Sequence, residues 1–76
     1  MEFFDWLKSK KAYQDRSARD VLSRLKRVKN LLGSDLIDKD TIKNLEQNDS
    51  VKALSAPARA QLRRCVKLYL EFKSKL

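Results

Sequence analysis

One amphipathic segment, residues 15–33, constrains the fold of this chain more than any other stretch. Its apolar residues recur every three or four positions, a spacing that places them on one face of an α-helix. These residues are Ala18, Val21, Leu22, Leu25, Val28 and Leu32. The opposite side carries Arg16, Arg19, Lys26 and Arg27, together with Ser23 and Asn30. Asp15 or Ser17 is expected to cap the start of this helix, and Gly33 to end it in a left-handed conformation.

A second long helix is predicted near the end of the chain. Ser55 is a good N-cap, and Pro57 falls in the first turn, where a missing amide costs nothing. Helical spacing then gives inward positions at Ala58, Leu62, Cys65, Tyr69, Phe72 and Leu76. One flank of this helix carries Arg59, Arg63 and Lys67, with Arg64 further round.

Shorter helices complete the prediction. The aromatic cluster of Phe3, Phe4, Trp6 and Leu7 is expected to plug one end of a bundle; an interfacial membrane anchor is the less favoured alternative. Asp38 or Asp40 can cap a third helix after a turn with inward-facing Leu36 and Ile37, whereas residues 51–54 fit helix or loop equally. Because no stretch alternates with period two, the chain is predicted to be all-α. We expect one domain over 1–76, a compact four-helix bundle with helices at 2–12, 17–32, 39–47 and 56–74.

The charge of the chain favours an anionic partner. Its 76 residues contain 18 Lys and Arg against 10 Asp and Glu, a net charge of +8. Such an excess attracts nucleic acid, an acidic membrane surface or an acidic protein. The alternative is a basic, highly soluble surface with no partner.

Other classes of function find little support in the composition. With no histidine and one cysteine, neither a His-dependent catalytic site nor a zinc cluster can form, so we expect no enzyme, cofactor or metal. Cys65 is predicted to be a buried structural thiol. No apolar run approaches the ~20 residues that span a bilayer, and no signal peptide is evident. The expected location is therefore cytoplasmic, with no membrane partner.

Two basic helices with few acidic residues predict contact with DNA phosphates, since Lys and Arg displace condensed counterions. The predicted DNA-binding residues are Arg16, Arg19, Arg24, Lys26, Arg27, Arg59, Arg63, Arg64 and Lys67. Arg19, Arg27, Arg63 and Lys67 are expected to contribute most. Base edges could be read by Arg19, Ser23, Arg27, Asn30, Gln61 and Arg64.

Four motifs follow one another along the chain. They are Phe3-Phe4-Asp5-Trp6-Leu7, a Ser17-led helix running to Leu31-Leu32-Gly33, a short helix led by Asp40-Thr41-Ile42, and a Ser55-led helix ending in Tyr69-Leu70-Glu71-Phe72. This order resembles the N-terminal core-binding (SAM-like) domain of tyrosine recombinases and phage integrases. The resemblance implies a helical clamp on duplex DNA, with the second and fourth helices at the grooves.

The same resemblance implies a catalytic domain or a parent recombinase chain as a further partner in DNA integration and recombination. The Arg and His residues and the nucleophilic Tyr of that catalytic domain have no counterpart here. Tyr13 falls in a connection and Tyr69 in the apolar seam, so neither is assigned the nucleophilic role. The expected activity is binding, without strand cleavage, by an excised domain or a stand-alone relative.

A protein-interaction or oligomerisation module with an acidic partner is the alternative function. Leu31, Leu68 and Leu70 lie off the main apolar seams. They either mark an exposed apolar patch or widen a core that is packed from two sides. The chain is expected to be a monomer or a weak oligomer.

Overall fold

The computed structural model describes residues 1–75, which form five α-helices and no strands. The helices are α1 (Phe3–Lys10), α2 (Asp15–Leu32), α3 (Thr41–Gln47), α4 (Asp49–Lys52) and α5 (Ala56–Ser74). The all-α prediction is confirmed, but the described residues contain five helices, because Asp49–Lys52 forms a short one of its own. The radius of gyration is 12.2 Å, close to the ~11.4 Å of a compact chain of this length. Leu76, predicted to extend the last apolar seam, lies outside the described residues.

The core is built where α1, α2, α3 and α5 pack together. Leu7, Val28, Leu45 and Val66 come from these four helices in turn, and none has any exposed surface. Each such side chain stabilises the fold by about 1.5–3 kcal/mol through the apolar area it removes from water. Within residues 1–75, no helix has the length and apolar content that crossing a membrane demands.

Four aromatic rings close one end of the bundle. Phe3 and Trp6 of α1 meet Phe72 of α5 with ring centroids 5.3 and 5.6 Å apart, respectively. Tyr69 stands edge-on to Phe3 at 5.2 Å. Edge-on and tilted pairs at these distances add to the gain from burial. The prediction that the first helix plugs the bundle is therefore confirmed.

Local signals placed the ends of the long helices correctly where the cap is formed by neighbouring residues. The Ser55 hydroxyl accepts a hydrogen bond from the Ala58 amide at 3.3 Å, so Ser55 caps α5 as predicted. At the end of α2, Gly33 has φ 64°. The Gly33 amide donates to the Asn30 carbonyl and the Ser34 amide to the Lys29 carbonyl, which is a Schellman ending.

The predicted start of α2 was wrong, and so was one of the two caps, Asp38 or Asp40, that the sequence offered for α3. α2 begins at Asp15 behind Gln14, and neither Asp15 nor Ser17 caps it, because both lie inside its first turn. The Asp15 carboxylate pairs with Lys8 instead. Asp40 makes no side-chain cap on α3 either. Its own amide donates to the Asp38 carboxylate, and that turn is closed by the buried Thr41 hydroxyl, which accepts from the Asp38 amide at 2.9 Å.

The loop between α2 and α3 is only partly buried. Ile37 is buried as predicted, but Leu36 is 64% exposed.

α4 follows directly on α3, because Asn48 is both the last cap of α3 and the first cap of α4. Its side-chain oxygen accepts from the Val51 amide, capping α4. Its side-chain nitrogen donates to the Leu31 carbonyl near the end of α2.

Two residues of the described chain occupy the left-handed region, Ala12 at φ 56° and Gly33 at φ 64°. An L-residue with a Cβ pays about 1–2 kcal/mol there, whereas glycine does not. We expect Ala12→Gly to raise the free energy of unfolding by up to ~1 kcal/mol and Gly33→Ala to lower it by ~1 kcal/mol. A Cβ at Gly33 would meet nothing within 4 Å, so that cost comes from the backbone. Urea denaturation of both variants measures the two changes. Changes of the same sign in the free energy of unfolding would contradict this prediction.

Candidate nucleic-acid interface

The outer surface of α2 carries four exposed cations. Arg16 and Arg27 lie on nearly the same line along the helix, and Arg19 and Lys26 lie on a neighbouring one. All of them are exposed. Between the two lines lie the exposed polar side chains of Ser23 and Asn30. This surface, which we call the α2 face, therefore carries charge and hydrogen-bonding groups with no apolar side chain between them.

Two of the acidic residues on the long helices are held by lysines from the first segment of the chain. Lys8 pairs with Asp15 at the start of α2, and Lys11 donates to Glu71 of α5 at 2.8 Å. The hydrogen bond and charge of Lys8 lower the pKa of Asp15 below its ordinary value. Because these carboxylates are occupied by lysines of another segment, they leave the arginines of α2 and α5 available.

A groove between α2 and α5 brings two predicted residues together. Arg24 on α2 and Arg64 on α5 line it with Ser17 and Gln61, and its volume is about 360 Å³. Asp20 also lines the groove and is the acidic group on its wall. This interhelical groove therefore has two guanidinium groups and one carboxylate among neutral polar side chains and the apolar Val21 and Leu68.

The remaining cations of α5 point elsewhere. Arg59 and Arg63 line a cleft against α3 and α4, which we call the α3–α5 cleft. They lie roughly 100–140° around α5 from Arg64. Arg63 lies 3.9 Å from the Glu46 carboxylate of α3, which is the one ion pair within 4.0 Å that any predicted DNA-binding residue makes in the described chain. Lys67 is exposed on the outer side of α5. The predicted residues thus occupy several surfaces rather than one continuous face.

Cys65 forms the floor of the interhelical groove. Its thiol is buried and donates to the Val21 carbonyl at 3.0 Å, so the prediction of a buried thiol is confirmed. Burial raises the pKa of the Cys65 thiol to about 12, and the positive charge of Arg24 opposes this only in part.

The buried thiol makes stability fall at high pH. In the unfolded chain Cys65 ionises near its ordinary value, roughly 8.5–9, whereas the folded protein holds the proton up to about pH 12. Between these values the unfolded state gains stability as pH rises. From pH 8 to pH 10 we expect the free energy of unfolding to fall by about 1.4 kcal/mol more than in Cys65→Ala, which has no thiol. Urea denaturation at the two pH values tests this, and equal losses in both proteins would contradict it.

The leucines that lie off the apolar seams are not an exposed patch. Leu31, Leu68 and Leu70 are half-buried and pack against the core. They therefore widen a core packed from two sides, which was one of the two sequence-based interpretations.

Sequence reasoning missed Lys52 and Ser17 as surface groups near the arginines. Lys52 lines the α3–α5 cleft, but the sequence of residues 51–54 did not distinguish a helix from a loop. Ser17 was considered as a cap, whereas it is the third residue of α2 and lies on the wall of the interhelical groove. Helical spacing could have placed Ser17 beside Arg24, and no sequence signal could have placed Lys52.

The described residues contain no group of three or more His, Cys, Asp or Glu side chains that could hold a metal ion. No family model, no curated protein and no solved structure matches this chain at a significant level. The likeness to the integrase core-binding domain therefore depends on the sequence motifs alone.

Proposed function

We propose that this chain is a non-catalytic DNA-binding module of the SAM-like, integrase core-binding type. It holds duplex DNA through the basic surfaces of α2 and α5. Phosphate contacts supply the affinity, and any base reading comes from the side chains between the arginines of the α2 face. A catalytic domain or recombinase chain would be its partner in recombination.

The observation that carries this proposal is the arrangement of charge around the interhelical groove. Arg24 and Arg64 approach from different helices, and the acidic residues Asp15 and Glu71 are paired with lysines from outside those helices. A phosphate in the groove would meet two guanidinium groups, whose planar forks suit its oxygens. Asp20 weakens the site, but one carboxylate does not offset two arginines.

The α2 face extends the same surface. Arg27 is three residues from Arg24, or roughly 60° around α2, so a strand seated in the groove can continue onto Arg27 and Arg16. Arg19 and Lys26 lie further round, roughly 140–160° from Arg24. We therefore rank Arg24, Arg27 and Arg64 as the central phosphate contacts, with Arg19 and Lys26 at the margin.

The experiment that tests the proposal is a titration of ¹⁵N-labelled protein with a random-sequence duplex. We expect the largest amide shifts at Arg24, Arg27, Arg64 and Gln61, with small shifts in α3. Shifts spread evenly over all lysines and arginines would contradict a defined interface.

The protein-interaction alternative predicts a different outcome. A stable dimer, seen in its native mass and indifferent to added duplex, would favour that function over DNA binding. Met1 and Leu36 are the large apolar side chains that the described chain exposes, so an interaction surface of this kind would depend on charge.

A further inference from the structure

A second basic site lies on a different flank of α5 from the interhelical groove, roughly 100–140° around the helix from Arg64. The α3–α5 cleft has a volume of about 300 Å³ and is lined by three cationic side chains, Lys52, Arg59 and Arg63. Arg59 and Arg63 are one turn apart on the same helix, so their Cβ atoms are about 5–6 Å apart. The buried side chains of Leu45 and Val51 form the floor. The cleft is therefore concave but partly open to solvent, since Lys52 and Arg63 are exposed.

The charge in the cleft is only partly balanced. Glu46 is the one carboxylate that lines it, against three cations, which leaves a net charge of +2. Its contact with Arg63 is long, at 3.9 Å, and both side chains are about half exposed, at 58% and 46%. Exposed pairs of this kind contribute little to stability, so an incoming anion can displace Glu46 at small cost.

The net charge of the cleft fits a dianion. A phosphomonoester carries about −1.5 to −2 charges near neutral pH and three acceptor oxygens. A carboxylate or a phosphodiester carries one charge and would leave the cleft unbalanced. Two arginine forks and a lysine supply donors for three oxygens.

From the cleft and its charge we infer that Lys52, Arg59 and Arg63 form a binding site for a phosphomonoester group. The group is either a free phosphate or the phosphorylated end of a nucleic-acid strand, and only the second source rests on the proposed DNA-binding function. The site is separate from the interhelical groove, because the two clefts share no lining residue.

Inorganic phosphate tests the site without any nucleic acid. At pH 8 and constant ionic strength we expect phosphate to cause saturable amide shifts around Lys52, Arg59 and Arg63, and acetate to cause none. Lys52→Gln and Arg59→Gln should each weaken phosphate binding about tenfold, whereas Glu46→Gln should tighten it severalfold. Lys10→Gln is the matched control, because it removes one cation from α1, outside both basic sites. No saturable shift, or an equal effect of Lys10→Gln and Arg59→Gln, would overturn the inference.

A pair of duplexes then identifies the source. They have the same sequence and carry either a 5′-phosphate or a 5′-hydroxyl end. A severalfold preference for the phosphorylated duplex that is lost in Lys52→Gln but kept in Lys10→Gln assigns the site to strand ends. With phosphate bound and no preference between the duplexes, the site takes a free phosphate. If neither duplex binds, the DNA-binding proposal fails while the phosphate result stands.

Discussion

Phe72→Ala is expected to lower the free energy of unfolding by about 3–5 kcal/mol, as deletion of a buried aromatic ring does elsewhere. Phe72 touches Phe3, Trp6 and Tyr69 and joins α5 to α1. A chain of 76 residues has a total stability of about 4–11 kcal/mol. The substitution therefore removes a large part of what holds the bundle together, and thermal denaturation followed by circular dichroism measures the loss.

Phe72→Leu is the control for this prediction. It keeps an apolar side chain in the cluster and should cost less than about half as much, because most of the cavity stays filled. If Phe72→Ala lost under 1 kcal/mol, the aromatic cluster would not be the closure of the bundle that the structure describes.

Reversing charge at the interhelical groove should have the largest effect on function. In the double variant Arg24→Glu and Arg64→Glu we expect affinity for a random duplex to fall on the order of 100-fold, because two phosphate contacts become repulsive. The dependence of log affinity on log salt should become shallower by about two units. Fluorescence anisotropy with a labelled duplex measures both quantities.

A control variant with the same net charge distinguishes the loss of a specific DNA-binding site from a general effect of charge on affinity. Lys10→Glu and Lys43→Glu also lower the net charge from +8 to +4, but these lysines lie on α1 and α3. We expect this variant to lose less than about tenfold in affinity. Equal losses in the two double variants would show that overall charge, and not the groove, determines binding.

The long helices could be predicted from the sequence because their signals are local. α5 has the predicted bounds, since Ser55 caps it and its apolar spacing is regular. α2 ends as predicted at Leu32, where Gly33 takes the left-handed conformation. Its start was misplaced by two residues because the Asp15 carboxylate is drawn to Lys8 of α1. That tertiary contact leaves no trace in the local sequence.

The short elements could not be predicted for a related reason. α4 has four residues, too few to show a helical period. Its cap, Asn48, also bonds to the Leu31 carbonyl, which is distant in the chain. Leu36 was misjudged because an apolar residue beside a buried Ile37 fits a core position equally well.

The surface charges show the same limit. Helical spacing correctly separated the apolar seam of α2 from its arginines. It does not tell which flank of a helix packs against which neighbour, so the meeting of Arg24 with Arg64 follows only from the packing of α2 on α5. Arg64 and Arg59 line different clefts for the same reason.

The most direct test of the DNA-binding account is the affinity of the wild-type chain for a labelled random duplex at 50 and 200 mM salt. About four phosphate contacts predict a loss of affinity on the order of 100-fold between these conditions. Tight binding at low salt with that loss is the expected result. No binding at 50 mM salt would contradict the account and leave a basic helical bundle whose partner is another protein.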